Sequence, residues 1–144
     1  MGADPIQILL VEDSPGDVNL TLTALADARV ANEVHVVGDG EEAMAYLRQA
    51  PPFQGSPRPD LVLLDLNLPL MDGREVLAAM QADPNLGTIP VVILTTSAEE
   101  TDVINAYRLH AASYVTKPVD FVEFVQAVRS IEGFWLSIVK YAPS

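Results

Sequence analysis

Four stretches of the 144-residue chain carry side chains that could do chemistry together: Glu12-Asp13, Asp65, Thr95-Thr96-Ser97 and Lys117-Pro118. Each follows a short apolar run rich in β-branched residues. If those runs are strands of one sheet, three carboxylates, a hydroxyl and an amine meet at one edge. At an effective dielectric of about 20, each close pair of carboxylates costs a few kcal/mol, so a cation must offset them. A hard divalent ion, Mg²⁺ or Mn²⁺, fits, because it takes one or two carboxylates and leaves the rest of its shell to water and phosphate. Lys117 supplies a second positive charge, able to pair with a carboxylate or a phosphoryl oxygen. Asp65 is the candidate nucleophile, since carboxylates attack phosphorus to give aspartyl phosphates. That step asks for charge neutralisation and in-line positioning more than for acid or base chemistry. The ion would sit on Asp13 and Asp65, with Lys117 and the Thr95 hydroxyl on the phosphoryl oxygens. Taken singly, an acid after a strand is more often a helix cap or a solvated loop residue. The joint placement reverses that preference, as does the scarcity of lysine: Lys117 and Lys140 are the only two in the chain.

The elements that must position these residues can be read from periodicity. Five runs, Ile6 to Val11, Val34 to Val37, Leu61 to Leu64, Val91 to Leu94 and Tyr114 to Thr116, read as strands. The continuously apolar stretches beginning at Ile8, Leu61 and Val91 suit strands buried on both faces of a parallel sheet. Helix starts are marked between them. Ser14-Pro15 puts a cap before a proline, with Val18, Leu22 and Leu25 on one face. Asp39 with Glu42, Ser97 with Glu100 and Asp120 with Glu123 have capping-box spacing. Gly73 opens a segment, Arg74 to Ala82, that Asp83-Pro84 closes. The order is (βα) five times, an α/β doubly wound parallel sheet whose functional crevice lies at the carboxyl ends of the strands. The proline-rich stretch from Pro51 to Pro59 reads as a surface loop within one domain.

Composition sets the boundaries. Twenty acidic against eight basic residues give a net charge of −12, which disfavours nucleic acid and anionic membrane as partners. A 49% hydrophobic content argues for a packed core and against an acidic disordered tail. Without cysteine, disulfide, zinc-ribbon and thiol chemistry are excluded. No apolar run reaches the length of a membrane span and no secretory leader is visible, so the cytoplasm is expected. His35 and His110 have no partner histidine at ligand spacing and read as structural. Met44, Met71 and Met80 read as gap-filling core or rim.

The motifs Leu10-Val-Glu-Asp13, Leu64-Asp65-Leu-Asn-Leu-Pro-Leu-Met-Asp-Gly73, Leu94-Thr95 and Tyr114-Val-Thr-Lys117-Pro118, spaced by 30 residues from Asp65 to Thr95 and 52 from Asp65 to Lys117, resemble the receiver domain of bacterial two-component response regulators. The resemblance spans essentially the whole chain. The long proline-rich loop, Leu-Asn-Leu-Pro, Thr-Thr-Ser and Ile131 to Leu136 are similar to stand-alone regulators paired with bacterial phytochrome histidine kinases. It implies a flavodoxin-like sheet of order 2-1-3-4-5, a receiver core over about 5–132 with a C-terminal extension over 133–144, and no output domain. It also implies a non-enzymatic signalling protein that assists its own phosphorylation and slow dephosphorylation. Asp65 would accept a phosphoryl group from the phosphohistidine of a sensor histidine kinase. Asp13 would hold Mg²⁺ directly, Glu12 largely through water, and the Asn67 carbonyl would complete the protein ligands. Thr95 and Lys117 would contact the phosphoryl oxygens. Tyr114 would be the switch aromatic of a partner-binding face made by the fourth helix, fifth strand and fifth helix. Pro118 would follow a cis bond.

Two departures stand out. Val119 replaces a common phenylalanine, which puts the packing beneath that loop in question, and Thr96 is larger than the usual alanine or glycine, which would hinder the water that removes phosphate from Asp65. Two alternatives from other classes are a receiver-shaped interaction module without phosphorylation and a haloacid-dehalogenase-type phosphohydrolase. The intact Glu12, Asp13, Asp65, Thr95 and Lys117 set disfavours the first. The second requires an acid two residues after its nucleophile, where this chain has Asn67. Phe134, Trp135, Leu136, Ile138 and Val139 make the end of the chain apolar on more than one face, which predicts a homodimer interface. The downstream protein is not named by the sequence.

Overall fold

Backbone pairing in the computed structural model follows the predicted strands closely. The structure describes residues 5–27, 31–95 and 111–129. Thr96, the Ser97–Glu100 cap, the predicted fourth helix with His110, and the tail with Phe134, Trp135, Leu136, Ile138 and Val139 lie outside the described residues. The strands are β1 (Ile6–Val11), β2 (Asn32–Val37), β3 (Leu61–Asp65), β4 (Val91–Thr95) and β5 (Ser113–Thr116). The described helices are α1 (Pro15–Asp27), α2 (Gly40–Leu47), α3 (Gly73–Ala82) and α4 (Phe121–Arg129), the last being the helix that follows the fifth strand. All pairings are parallel, in the order β2-β1-β3-β4-β5. This is the flavodoxin-like order expected from the sequence.

Alternation along β1 divides the core in two. Leu9 and Val11 face Val62, Leu64 and Ile93, together with Met44 of α2 and Val76, Leu77 and Met80 of α3. Ile8 and Leu10 face Leu61, Leu63, Val92 and Leu94, together with Leu25 of α1 and Phe124 of α4. All five residues of β3 are buried, the expected condition of a central parallel strand. Each fully buried Leu or Val side chain contributes about 1.5–3 kcal/mol, which fixes the strand that carries Asp65. Val119 fills the second core beside Val115 and Phe124, so the loop is packed without the larger aromatic.

The caps follow the spacing in the sequence. Asp39 and Asp120 accept from the N–H groups of Glu42 and Glu123 at 2.7 and 2.9 Å. The Ser14 hydroxyl accepts from Asp17 N–H at 3.4 Å. A further cap, Asp72, accepts from Glu75 N–H at 3.0 Å. The proline-rich segment is a loop that contains a cis Pro51–Pro52 bond, and Phe53 lies against Tyr46, with ring centroids 5.4 Å apart. His35 is 5.8 Å from the same ring, and its Nε2 lies 2.8 Å from Gln7 Oε1, a structural setting.

Candidate functional site

The parallel order puts the carboxyl ends of β1, β3, β4 and β5 at one edge. Glu12 and Asp13 follow β1, Asp65 ends β3 and Thr95 ends β4, where Thr95 pairs in register with Thr116 of β5. Lys117 follows directly, and the Lys117–Pro118 bond is cis, as the resemblance implied. The loop bearing Lys117 is tied at both ends. Thr116 N–H donates to Glu123 Oε1 at 3.1 Å, and Asp120 caps α4.

Asp65 is 3% exposed. Its Oδ1 accepts from Asn67 N–H at 3.1 Å and its Oδ2 from Lys117 Nζ at 3.2 Å. The turn that follows is held by Gly73 N–H donating to Leu66 O at 3.0 Å. A Cβ at Gly73 would run into the Asp65 carbonyl and stand 2.6 Å from Leu66 Cα, so α3 can start this close only with glycine there. In the same turn Leu70 has φ +66°, a left-handed conformation costly for a leucine, and its side chain is exposed.

Glu12, Asp13 and Asp65 each place a carboxylate oxygen within 4.8 Å of the others. Glu12 is buried, while Asp13 faces solvent. Burial pushes the Glu12 carboxyl above its ordinary range and Asp65 adds to the rise, opposed by the hydrogen bond from Lys117. Lys117 Nζ lies 2.8 Å from Glu12 Oε2, 3.1 Å from Asp17 Oδ2 and 3.2 Å from Asp65 Oδ2. Desolvation draws the ammonium down, but the hydrogen bonds to Glu12 and Asp17, with the charge of Asp65, outweigh it and leave Lys117 well above the usual lysine range. Lys117 therefore stays charged throughout the physiological range.

The structure thus brings Glu12, Asp13, Asp65 and Lys117 together and puts the end of β4 beside them. Tyr114 lies on edge strand β5, 43% exposed. Asp17 belongs to the cluster and is absent from the sequence-derived set. Its place in the first turn of α1 gives it the appearance of an ordinary helix-start acid, and only its contact with a lysine 100 residues away distinguishes it. Four carboxylates against one ammonium leave a surplus of negative charge. The three carboxylates gathered within 4.8 Å are all hard oxygen donors, a set that fits a divalent cation.

A model of the response regulator receiver domain matches residues 8–129. The chain belongs to the response regulator receiver family. Among its relatives, Response regulator Rcp1 of Synechocystis sp. is 48% identical over 135 residues, covering 94% of this chain and 92% of that protein. The solved Mn²⁺-bound form of Rcp1 superposes with a TM-score of 0.74 at 47% identity, covering 97% of this chain and all of that one. The bacteriophytochrome response regulator AtBRR gives a TM-score of 0.86 at 44% identity, covering 92% and 96% of the two chains. The phosphorylated cyanobacterial phytochrome response regulator RcpA gives 0.75 at 50% identity, covering 98% and 100%. As a receiver, this chain is therefore similar to stand-alone regulators associated with phytochromes. Among the described residues no helix is long and apolar enough to cross a membrane.

Proposed function

We propose that this receiver takes a phosphoryl group on Asp65 from the phosphohistidine of a sensor histidine kinase of the phytochrome type. One observation carries the reading. A buried carboxylate at the end of the central strand has an N–H on one oxygen and an ammonium on the other, with two more carboxylates within 4.8 Å. An Asp65 oxygen attacks phosphorus, the P–O bond forms as the P–N bond breaks, and the electron pair leaves with the imidazole. Asn67 N–H keeps the carboxylate from turning. Lys117 Nζ, already at Asp65 Oδ2, is near enough to pass a hydrogen bond to an arriving phosphoryl oxygen and to balance charge that grows there. The Thr95 hydroxyl is assigned to another phosphoryl oxygen on the strength of its position at the end of β4.

Glu12, Asp13, Asp65 and the Asn67 carbonyl would hold Mg²⁺ or Mn²⁺, which supplies charge neutralisation and a template for the phosphoryl oxygens. The Mn²⁺-bound form of Rcp1 supports that assignment by likeness. Output would pass through a partner that reads the surface around β5 and α4, where Tyr114 and Val122 are exposed, and a homodimer would use the same face. The test is incubation with Mg²⁺ and acetyl phosphate, with phosphate incorporation read by intact mass. The native chain should gain one phosphoryl group and Asp65→Asn none. Equal incorporation by the two would refute the assignment.

A further inference from the structure

An ammonium has three N–H donors and no acceptor. In Lys117 all three have carboxylate partners, Glu12, Asp17 and Asp65. Glu12 and Asp65 are almost wholly buried on strand ends, whereas the Asp17 side chain is 35% exposed and comes from a helix. Asp17 is also outside the group of three carboxylates suited to a cation.

The local chemistry of the α1 start explains why Asp17 is available. Ser14 and Asp17 have the spacing at which the later acid ordinarily reaches back to the N–H of the cap residue. Here that N–H donates instead to Glu12 Oε1 at 3.2 Å. Relieved of the capping contact, the Asp17 carboxylate turns to Lys117. Glu12 therefore does two things: it holds the ammonium through one oxygen and, by occupying Ser14 N–H with the other, frees a second holder.

We infer that Asp17 is a positioning residue for phosphoryl transfer, holding Lys117 Nζ so that its third donor is aimed at Asp65 Oδ2. Lysine reaches its ammonium through a flexible four-carbon stem, and one fixed partner leaves the head free to pivot. A second partner, carried by a different element, α1, removes that freedom before the phosphoryl group arrives, the kind of preorganisation that lowers a transfer barrier. The charge of Asp17 works against a phosphoryl dianion, but its exposure lets water and salt screen that repulsion. Screening does not weaken the geometric hold in the same way, so the hold wins.

This inference rests on Asp65 being the phosphoacceptor, and its test separates the two. Incorporation from acetyl phosphate at saturating Mg²⁺ is compared for the native chain, Asp17→Ala and Asp17→Asn, with Mg²⁺ affinity measured by calorimetry and folding by thermal melting. Asp17→Ala should be slower by about three- to tenfold, the loss expected for one charge-assisted hydrogen bond that orients a reacting group. Its Mg²⁺ affinity should stay within about threefold of the native value. Asp17→Asn keeps an acceptor at the same reach and should recover most of the rate. A native or faster rate in Asp17→Ala overturns the proposal, as does an Asp17→Asn variant as slow as Asp17→Ala, or a rate loss that tracks lost Mg²⁺ affinity. If Asp17→Ala does not fold, Asp17→Asn decides against Asp17→Ser, which should be slow. Failure of the native chain itself to incorporate phosphate would instead refute the reading of Asp65.

Discussion

At the scale of single residues the dominant fact is one ammonium against two carboxylates that water barely reaches, Glu12 and Asp65. Glu12 is 2% exposed, so its ionised form depends on Lys117. Removing one member of a buried pair is more damaging than removing both, because the survivor is left charged and unpaired. Lys117→Met should therefore destabilise the metal-free protein by about 3 kcal/mol at pH 8, and adding Glu12→Gln should recover most of it; urea midpoints of the two variants check this. The pH dependence has a definite sign. Burial already raises the folded-state pKa of Glu12, and loss of the lysine raises it further. A carboxyl raised on folding favours the folded state when protonated, so the defect of Lys117→Met should be full above that raised value and shrink as the pH falls from it toward the ordinary carboxylate range.

Elements matter through where they begin. The same change, glycine to alanine in the first turn of a helix, should have opposite signs in α1 and α3. At Gly16 the nearest obstacle to a Cβ is Ser14 Oγ at 4.0 Å, so Gly16→Ala should stabilise the protein by about 0.5–1 kcal/mol through the lower entropy of the unfolded chain. At Gly73 a Cβ meets the Asp65 carbonyl, so Gly73→Ala should cost about 2–3 kcal/mol and displace the backbone of Asp65. Denaturant midpoints give both signs, and phosphate incorporation should fall only for Gly73→Ala. The helix starts themselves were readable from local spacing. Asp72 and Glu75 share the three-residue interval of Asp39 and Glu42, so the cap of α3 could have been found by the rule that found the cap of α2.

For the whole molecule the net charge of −12 sets the response to ions. Among the described side chains every acid but Glu12 and Asp65 is at least partly exposed, where salt screens it, but the three clustered carboxylates call for a cation of high charge density. Millimolar Mg²⁺ should raise the melting temperature by several degrees more than NaCl at matched ionic strength, as binding to the folded state alone requires. Asp13→Asn should abolish that difference while leaving the metal-free melting temperature unchanged or higher, since it removes a repelling charge. Scanning calorimetry of the two proteins in both salts decides the matter. The sequence by itself determined the strand and helix alternation, the two-faced burial of the sheet and the edge where Asp13, Asp65 and Lys117 meet. Those properties follow from local periodicity and from the rule that parallel strands deliver their carboxyl ends to one side. Only the tertiary structure decided that Glu12 is buried while its neighbour Asp13 is not, that Val119 suffices beneath the Lys117 loop, and that Asp17 completes the coordination of the ammonium. These depend on side chains a hundred or more residues apart, or on two faces of one turn, and no spacing along the chain encodes the direction in which a carboxylate points.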